Sequence, residues 1–391
     1  MKKAFIFITL AFLMSFATAN AVLISPALPE LAALFQVSVI TMESTFIWFL
    51  AGYSLGQLFY SPLNNRFGRK PSLFVGLFLQ ILSTITALIA GHLDHFNLFV
   101  YSRFFLALGS GVGLMMTFTI VSEHFPKEQV QKVIAYLIPS FAIIPALAVL
   151  GSGYFTKYYG WSANFYLGIL LGLLLILFCS FLPHSPKEKD LTALQFKKIM
   201  QTFTLQLQRH SLIIGALLMG CCVSFAYIFS SIVPFITANS FHFDSLDYAL
   251  ANGFAAGGLI VGSLISARLP ENISPLKMIY WGVSIIALGA LGTMIGEHLH
   301  YPAFHSYFVT LFLINLGSCF VLSYTSSLIL AATNEKANAS AVMNFINVGI
   351  ITLILLFFSY LPFGAYLVGY TFVGLSLLMF ALSSLLQADT E

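Results

Sequence analysis

Charged side chains are scarce in this chain. Asp, Glu, Lys and Arg make up only 8% of its 391 residues, whereas a soluble domain carries about 25%. Hydrophobic residues make up 59%, so the chain could not cover a water-exposed surface with polar groups. The composition therefore excludes an ordinary soluble domain and indicates a membrane protein whose exterior faces the lipid bilayer.

Cysteines and closed sets of metal ligands are scarce as well. The four cysteines all fall in apolar runs, which predicts small buried side chains rather than a disulfide framework or a metal site. Histidines gather near Glu297 and near Asp94, but their spacing matches no closed metal site. We therefore expect no metal, no cofactor, no nucleic-acid partner and no enzyme activity.

Long apolar runs alternate with polar loops along the chain. Because a helix needs about 20 apolar residues to cross a bilayer, these runs predict twelve transmembrane helices. The first six lie at about 4–24, 42–62, 71–91, 97–120, 129–151 and 163–182. The other six lie at about 210–236, 246–268, 276–296, 303–330, 338–359 and 363–386.

These spans predict an all-α membrane protein made of two six-helix bundles. The predicted domains are an N-terminal bundle at 1–182, a cytoplasmic linker at 183–209 and a C-terminal bundle at 210–391. The linker is the most polar stretch of the chain. Its segment TALQFKKIMQTFTLQLQRH is either an amphipathic helix on the inner membrane face or a flexible tether.

Lysine and arginine predict the orientation, because they concentrate in cytoplasmic loops. If the N-terminus is cytoplasmic, all of the 17 Lys and Arg residues except Lys157 and Arg103 fall on the cytoplasmic side. Both termini are then cytoplasmic. The start of the chain, with Ala19-Asn20-Ala21, also resembles a secretory signal and its cleavage site. We favour a first transmembrane helix, since it keeps the charge pattern and two equal halves.

One short basic turn carries more information than the other loops. The segment PLNNRFGRKP, from Pro62 to Pro71, separates two long apolar runs and contains three cations. It marks the cytoplasmic side of a membrane hairpin, because such a turn cannot lie in lipid.

This turn and its surroundings, GYSLGQLFYSPLNNRFGRKPSL from Gly52 to Leu73, resemble the signature loop between helices 2 and 3 of the major facilitator superfamily. The likeness is to its drug/proton antiporters of the bicyclomycin-resistance type. Other segments resemble the same group: Ser25–Ser38, Tyr101–Gly113, Tyr158–Leu167, Phe225–Phe235, Tyr248–Leu269 and Asn334–Phe345. The resemblance implies a monomeric transporter of the bacterial inner membrane, in which two bundles around a central cavity alternate access.

The resemblance assigns the basic turn to the inner gate, with Asn65, Arg66, Gly68, Arg69 and Lys70. Asn65 stands where the family usually has Asp, and this departure predicts a gate that is held less firmly.

A second departure lies in the first span. Antiporters of this type often carry an Asp there, whereas this chain has Asn20, which cannot titrate. Proton coupling usually needs a buried titratable group. Coupling would then use Glu43, another interfacial acid such as Glu30, or the substrate itself; otherwise transport is uncoupled.

Two charged residues near the outer ends of first-half helices are candidates for this chemistry. Arg103 lies inside the fourth span, where a charge is unfavourable unless it is paired or solvated. It is either a cavity or proton-relay residue, or a side chain that reaches the outer interface. Glu43 is either an exposed interfacial carboxylate or a group that pairs with Arg103 or titrates during transport.

The resemblance implies that helices 1, 4, 7 and 10 line the cavity. The polar residues that we select on them are Asn20, Arg103, Thr117, Tyr227, Ser230, Ser231, Asn315 and Tyr324. Second choices, on helices 8 and 11, are Asn252, Asn344 and Asn347. Each of them could instead be a hydroxyl or amide that packs one helix against another.

The main functional expectation is a secondary active transporter that exports small amphipathic molecules such as a drug, a metabolite or a siderophore. We expect it to be proton-coupled. The alternative is an importer of a small nutrient on the same fold, because the motifs do not specify direction. A non-transporting receptor or scaffold is disfavoured, since it would not need Arg103 in the membrane. The predicted cavity suits a neutral or anionic substrate.

Overall fold

The computed structural model describes residues 2–125, 133, 136–137, 139–182, 204–268, 273–331, 336–361 and 366–390. The regular secondary structure of these residues is helical. In the first half the helices are α1 (Lys2–Met14), α2 (Phe16–Val22), α3 (Leu28–Leu34), α4 (Val39–Phe67), α5 (Arg69–His92), α6 (Phe96–Ser110), α7 (Val112–His124), α8 (Ser140–Tyr159) and α9 (Ala163–Ser180). In the second half they are α10 (His210–Phe241), α11 (Ser245–Arg268), α12 (Pro275–His298), α13 (Thr310–Ala331), α14 (Lys336–Ser359) and α15 (Leu367–Thr390).

The predicted spans and the helices agree closely. Within the described part of the chain, 11 helical segments are long and apolar enough to cross a membrane. The predicted span at 42–62 lies in α4, which has 29 residues but carries more polar groups. The predicted span at 129–151 corresponds to α8, although most of its first ten residues lie outside the described part. The all-α membrane fold is therefore confirmed.

The first predicted span is not one continuous helix. Ser15 separates α1 from α2, and a 3-10 turn at Ser25–Ala27 separates α2 from α3. Pro26 and Pro29 lie at the starts of the turn and of α3, where proline is tolerated because the first N–H groups of a helix have no intrahelical partner. The break leaves the last carbonyls of α2 without intrahelical donors.

The chain divides into two compact units. The first contains Met1–Val37 and Thr45–Leu205, and the second contains Ser38–Ser44 and Gln206–Glu391. The start of α4 therefore groups with the second unit. Most of the predicted linker, at 183–203, lies outside the described residues, so the predicted domain limits stay a prediction.

Many large apolar side chains of the described helices are exposed. Phe78, Trp281 and Phe357 are 60%, 61% and 67% exposed. Such a surface would be unfavourable in water. It is compatible with helices whose outer faces contact lipid.

Glycines allow close helix packing in the first unit. A Cβ atom added to Gly109 of α6 would lie 2.6 Å from the carbonyl oxygen of Gly76 in α5. One added to Gly56 of α4 would lie 2.9 Å from the carbonyl oxygen of Leu108. These separations are shorter than van der Waals contact, so only glycine permits the backbones to approach in this way.

The second unit repeats this packing. Gly258 and Gly262 of α11 lie against the carbonyls of Phe312 and Leu316 in α13, and Gly282 of α12 lies against Gly317. These three glycines are spaced by 4 and then by 20 positions, and three glycines of the first unit have the same spacing. The first-unit set is Gly52, Gly56 and Gly76, facing Phe104, Leu108 and Gly109. Each unit is therefore built on the same three-helix arrangement.

Gly258→Ala tests this packing. A Cβ atom there would lie 2.9 Å from the carbonyl carbon of Phe312, and overpacking of this kind lowers stability by about 1–3 kcal/mol. Gly374→Ala is the control, because no atom lies within 4 Å of its added Cβ and alanine favours helix by about 1 kcal/mol. We expect a lower unfolding temperature in detergent for Gly258→Ala and an equal or higher one for Gly374→Ala. Equal temperatures for both variants would contradict the packing.

Candidate functional site

Arg103 lies in α6 and is 1% exposed. Its Nη1 donates to the carbonyl oxygen of Asn20 and its Nη2 to that of Ala21, both at 3.2 Å. These carbonyls belong to the last turn of α2, where the helix break leaves them without intrahelical donors. The guanidinium therefore caps the carboxyl end of α2.

An aromatic ring completes the surroundings of this cation. The guanidinium carbon lies 4.6 Å from the ring centroid of Phe49, close enough for a cation–π interaction. The partial negative charge at the end of a helix also favours a cation. Because the side chain is buried against α2, it does not reach the outer interface, and the interpretation as an interfacial side chain is wrong. Arginine keeps its charge in proteins, so this region holds a fixed positive charge.

Asn20 lies in the same turn of α2 and is 2% exposed. Its Nδ2 donates to the carbonyl of Phe16 at 2.8 Å, and its Oδ1 accepts from Gln80 Nε2 at 3.3 Å. The structure thus brings together two of the predicted cavity residues, Asn20 and Arg103. The sequence-based prediction did not include Gln80 or Phe49, although Gln80 is an isolated amide in an apolar run.

Glu43 lies in the first turns of α4 and is 1% exposed. Its Oε1 accepts a hydrogen bond from Ser231 Oγ at 3.4 Å. Both residues belong to the second unit. The interpretation of Glu43 as an exposed interfacial carboxylate is therefore wrong. The hydrogen bond found for Glu43 is made with Ser231, and the predicted pairing of Glu43 with Arg103 stays a prediction.

Ser231 has a second acceptor within α10. Its Oγ lies 3.1 Å from the carbonyl oxygen of Ile228, so one hydroxyl proton serves either this carbonyl or the carboxyl of Glu43. Tyr227 and Ser230 lie on neighbouring positions of α10 and are 5% and 7% exposed. The predicted residues of this helix are therefore all buried, and Ser231 is the one for which a contact with Glu43 is found.

Other predicted residues connect helices. Thr117 Oγ1 lies 2.9 Å from the carbonyl of Gly113 and 3.4 Å from that of Leu10, which belongs to α1. Asn315 Nδ2 donates to the carbonyl of Ala255 in α11 at 2.9 Å. The remaining candidates are half-buried: Tyr324, Asn252, Asn344 and Asn347. Their assignment to the cavity stays a prediction.

The basic turn has a defined geometry. Gly68 has φ +91° and precedes α5, a conformation that favours glycine. Asn65 is exposed and Arg66 is half-buried, whereas Arg69 is 1% exposed. Lys70 Nζ donates to the carbonyl of Ser180 at 2.9 Å, so a cation lies at the carboxyl end of α9, where the helix dipole favours it.

Glu297 and His298 belong to a helix junction. Glu297 accepts from the backbone N–H of Gly369 at 3.0 Å and from Tyr307 Oη at 3.1 Å. His298 Nε2 lies 3.2 Å from Tyr370 Oη. Within the described ranges, no group of three or more His, Cys, Asp or Glu side chains could hold a metal ion. Glu297 thus caps the start of α15.

The sequence profile of the Major Facilitator Superfamily matches residues 8–355 of this chain. The chain belongs to the Major Facilitator Superfamily. It is therefore a multi-pass membrane protein of a transporter superfamily and not of an enzyme family. The resemblance stated from the sequence alone is confirmed.

The relatives indicate the branch of the superfamily. The chain is 27% identical over 241 residues to the bicyclomycin resistance protein homolog of Haemophilus influenzae, covering 61% of this chain and 58% of that protein. The match thus spans less than two thirds of that relative's length. The multidrug transporter MdfA of Edwardsiella ictaluri is 23% identical over 336 residues, covering 85% and 80%. These similarities support the drug/proton antiporter type.

A solved structure shows the same fold. The crystal structure of a D-xylose-proton symporter matches with a TM-score of 0.80 and covers 97% of both chains, at 14% sequence identity. At this identity the likeness concerns the fold alone. It agrees with the two-bundle helical architecture of the superfamily.

Replacement of Arg103 tests the cap on α2. Arg103→Met leaves the carbonyls of Asn20 and Ala21 without their guanidinium donor, and each unsatisfied buried acceptor lowers stability by about 1–3 kcal/mol. Arg103→Lys keeps a charge but not the two-pronged donor. We expect the unfolding temperature in detergent to fall in the order wild type, Lys, Met.

Arg268→Met is the matched control, because Arg268 is exposed at the end of α11. We expect its unfolding temperature to stay near that of the wild type. An Arg103→Met variant as stable as Arg268→Met would contradict the proposed cap.

Proposed function

We propose that this protein exports small amphipathic molecules, such as a drug, a metabolite or a siderophore, by alternating access. The observation that carries the proposal is the buried guanidinium of Arg103, held at the end of α2 in a chain of this superfamily. Support for export comes from relatives named for resistance to bicyclomycin, to chloramphenicol and to multiple drugs. We place the protein in the bacterial inner membrane, as a monomer with both termini cytoplasmic.

The substrate class follows from the polar groups near the proposed cavity. In the first unit they are the cation of Arg103 and the amide of Asn20. In the second unit they include the hydroxyls of Tyr227 and Ser230 and the amide of Asn315. A fixed positive charge repels cations and attracts anions. The proposed substrates are therefore neutral or anionic.

Proton coupling is proposed to use Glu43. Glu43 is buried, and its hydrogen-bond partner Ser231 lies on α10. This helix corresponds to the seventh predicted span, one of the four to which the resemblance assigns the cavity. A carboxyl accepts hydrogen bonds when ionised and donates one when protonated. A proton on Glu43 would therefore change its bond with Ser231, which has an alternative acceptor in the carbonyl of Ile228.

The inner gate is proposed to involve the basic turn, with Asn65, Arg66, Gly68, Arg69 and Lys70. The side chain of Asn65 is exposed and carries no charge, so the gate would lack the charged contact that Asp gives in the family.

Import of a small nutrient is the second candidate function. The fold serves transport in either direction, and a D-xylose-proton symporter has the same architecture. Export and import differ in the side from which the substrate is taken up.

Transport in proteoliposomes tests the proposal. The purified protein is reconstituted with an imposed pH gradient, and movement of labelled chloramphenicol and bicyclomycin is followed. We expect accumulation against the substrate gradient only in vesicles that contain the protein and only while the pH gradient is present. Deletion of the gene should also increase drug susceptibility. Loss of growth on one nutrient without any efflux defect would instead support import.

Glu43→Gln tests the coupling site in the same vesicles. Glutamine keeps the size of the side chain but cannot bind or release a proton. We expect transport by this variant to lose its response to the pH gradient and to fall to the level seen without one. Glu30→Gln is the control, because Glu30 is an exposed acid of α3 and should retain the response. An unchanged pH dependence in Glu43→Gln would reject the assignment.

A further inference from the structure

Gln80 lies in α5, which is not among the helices assigned to the cavity, and it is 0% exposed. It is the only amide in the run from Leu73 to Leu82, whose other members are apolar residues and glycine. Placing an amide in apolar surroundings is unfavourable unless it is hydrogen-bonded. The position of Gln80 therefore needs a physical reason.

The amide group of Gln80 faces acceptors on three helices. Its Nε2 lies 3.0 Å from Thr84 Oγ1 in its own helix, 3.2 Å from the carbonyl of Gly168 in α9 and 3.3 Å from Asn20 Oδ1 in α2. Two N–H groups serve these three acceptors. Gln80 thus connects α2, α5 and α9 at one buried point.

Helix α9 is shaped to admit this side chain. A Cβ atom added to Gly172 would overlap Gln80 Oε1, so glycine at this position leaves room for the amide. Gln80 Oε1 itself accepts no hydrogen bond from the residues that the structure describes. The hydrogen bonds found for this side chain all come from its donor end, which is directed at Asn20, Thr84 and Gly168.

Asn20 is consequently held from both ends of its amide. Its Nδ2 donates to Phe16 within α2, while its Oδ1 accepts from Gln80. The backbone carbonyl of the same residue accepts from Arg103. A hydrogen bond from Gln80 therefore fixes the turn of α2 whose carbonyls hold the guanidinium.

We propose that Gln80 is a positioning residue for the site formed by Asn20 and Arg103. It acts by orienting Asn20 and the last turn of α2, not by touching the substrate. The proposal rests on the proposed function of that site. The proposal extends the site to α5, which is not among the helices that the resemblance assigns to the cavity.

Two substitutions at Gln80 separate positioning from packing. Leucine fills similar space but cannot donate, so Gln80→Leu should raise the KM for chloramphenicol export roughly five- to tenfold, as expected for the loss of one buried hydrogen bond. Glutamic acid donates to Asn20 only when protonated. Relative to the wild type at the same low pH, Gln80→Glu should therefore have a nearly normal KM, because the protonated carboxyl can replace the amide as a donor.

Ser110→Ala is the matched control. Ser110 is also fully buried in the first unit, but the hydrogen bond found for it is local, to the carbonyl of Leu106 in α6. Its KM should stay near that of the wild type. An unchanged KM in Gln80→Leu, or a KM for Gln80→Glu at low pH that is raised as much as that of Gln80→Leu, would overturn the positioning role.

A stability measurement tests the same contact without any substrate. Gln80→Leu, Asn20→Ala and the double variant form a cycle of unfolding free energies in detergent. If Gln80 acts through Asn20, the double variant loses clearly less than the sum of the single losses. Additive losses would overturn the proposal. If the wild type does not transport chloramphenicol while the cycle shows coupling, the proposed function fails and the positioning contact stands.

Discussion

A guanidinium enclosed by apolar helices is stable only if its charge and its donors are satisfied. In this protein its partners include the carbonyls of Asn20 and Ala21, which accept from the two terminal nitrogens, and the ring of Phe49. These carbonyls are available because α2 ends at Val22. The break in the first span and the cation in α6 therefore depend on each other. The proposed substrate class follows from a charge that is held by backbone groups.

Close packing makes this arrangement possible. Glycines bring α4, α5 and α6 together in the first unit, and the same spacing of glycines brings α11, α12 and α13 together in the second. The repeat places a closely packed three-helix arrangement in each half of the chain. Polar contacts differ between the halves: Gln80 occupies a position whose counterpart by the same spacing, Ile286, is apolar. The two halves thus share a packing scheme but not a polar site.

Much of the fold could be predicted from the sequence. Each apolar run that is long enough to span a bilayer corresponds to helix in the described part of the structure. This agreement is expected, because hydropathy and length directly constrain a transmembrane helix. The family could be predicted from the basic turn at Pro62–Pro71 and from the segments that accompany it. The break after Val22 could not, since it is stabilised by a residue 83 positions from Asn20 in the chain.

The site was predicted only in part. Asn20 and Arg103 stood out as polar groups in apolar spans, but their contact is a property of the tertiary structure. Glu43 could not be judged exposed or buried, because its partner Ser231 lies 188 residues away. Gln80 was overlooked because a single amide in an apolar helix gives no motif. The repeated glycines could have been found by comparing the spacing of the two halves.

The central claim is that the buried positive charge of Arg103 makes the proposed site favour neutral and anionic substrates. A direct measurement compares the binding of three probes of similar size, one anionic, one neutral and one cationic, to the purified wild type and to Arg103→Gln. The account predicts that the wild type binds the anionic and neutral probes more tightly than the cation and that Arg103→Gln reduces this preference. Tighter binding of the cation by the wild type would contradict it.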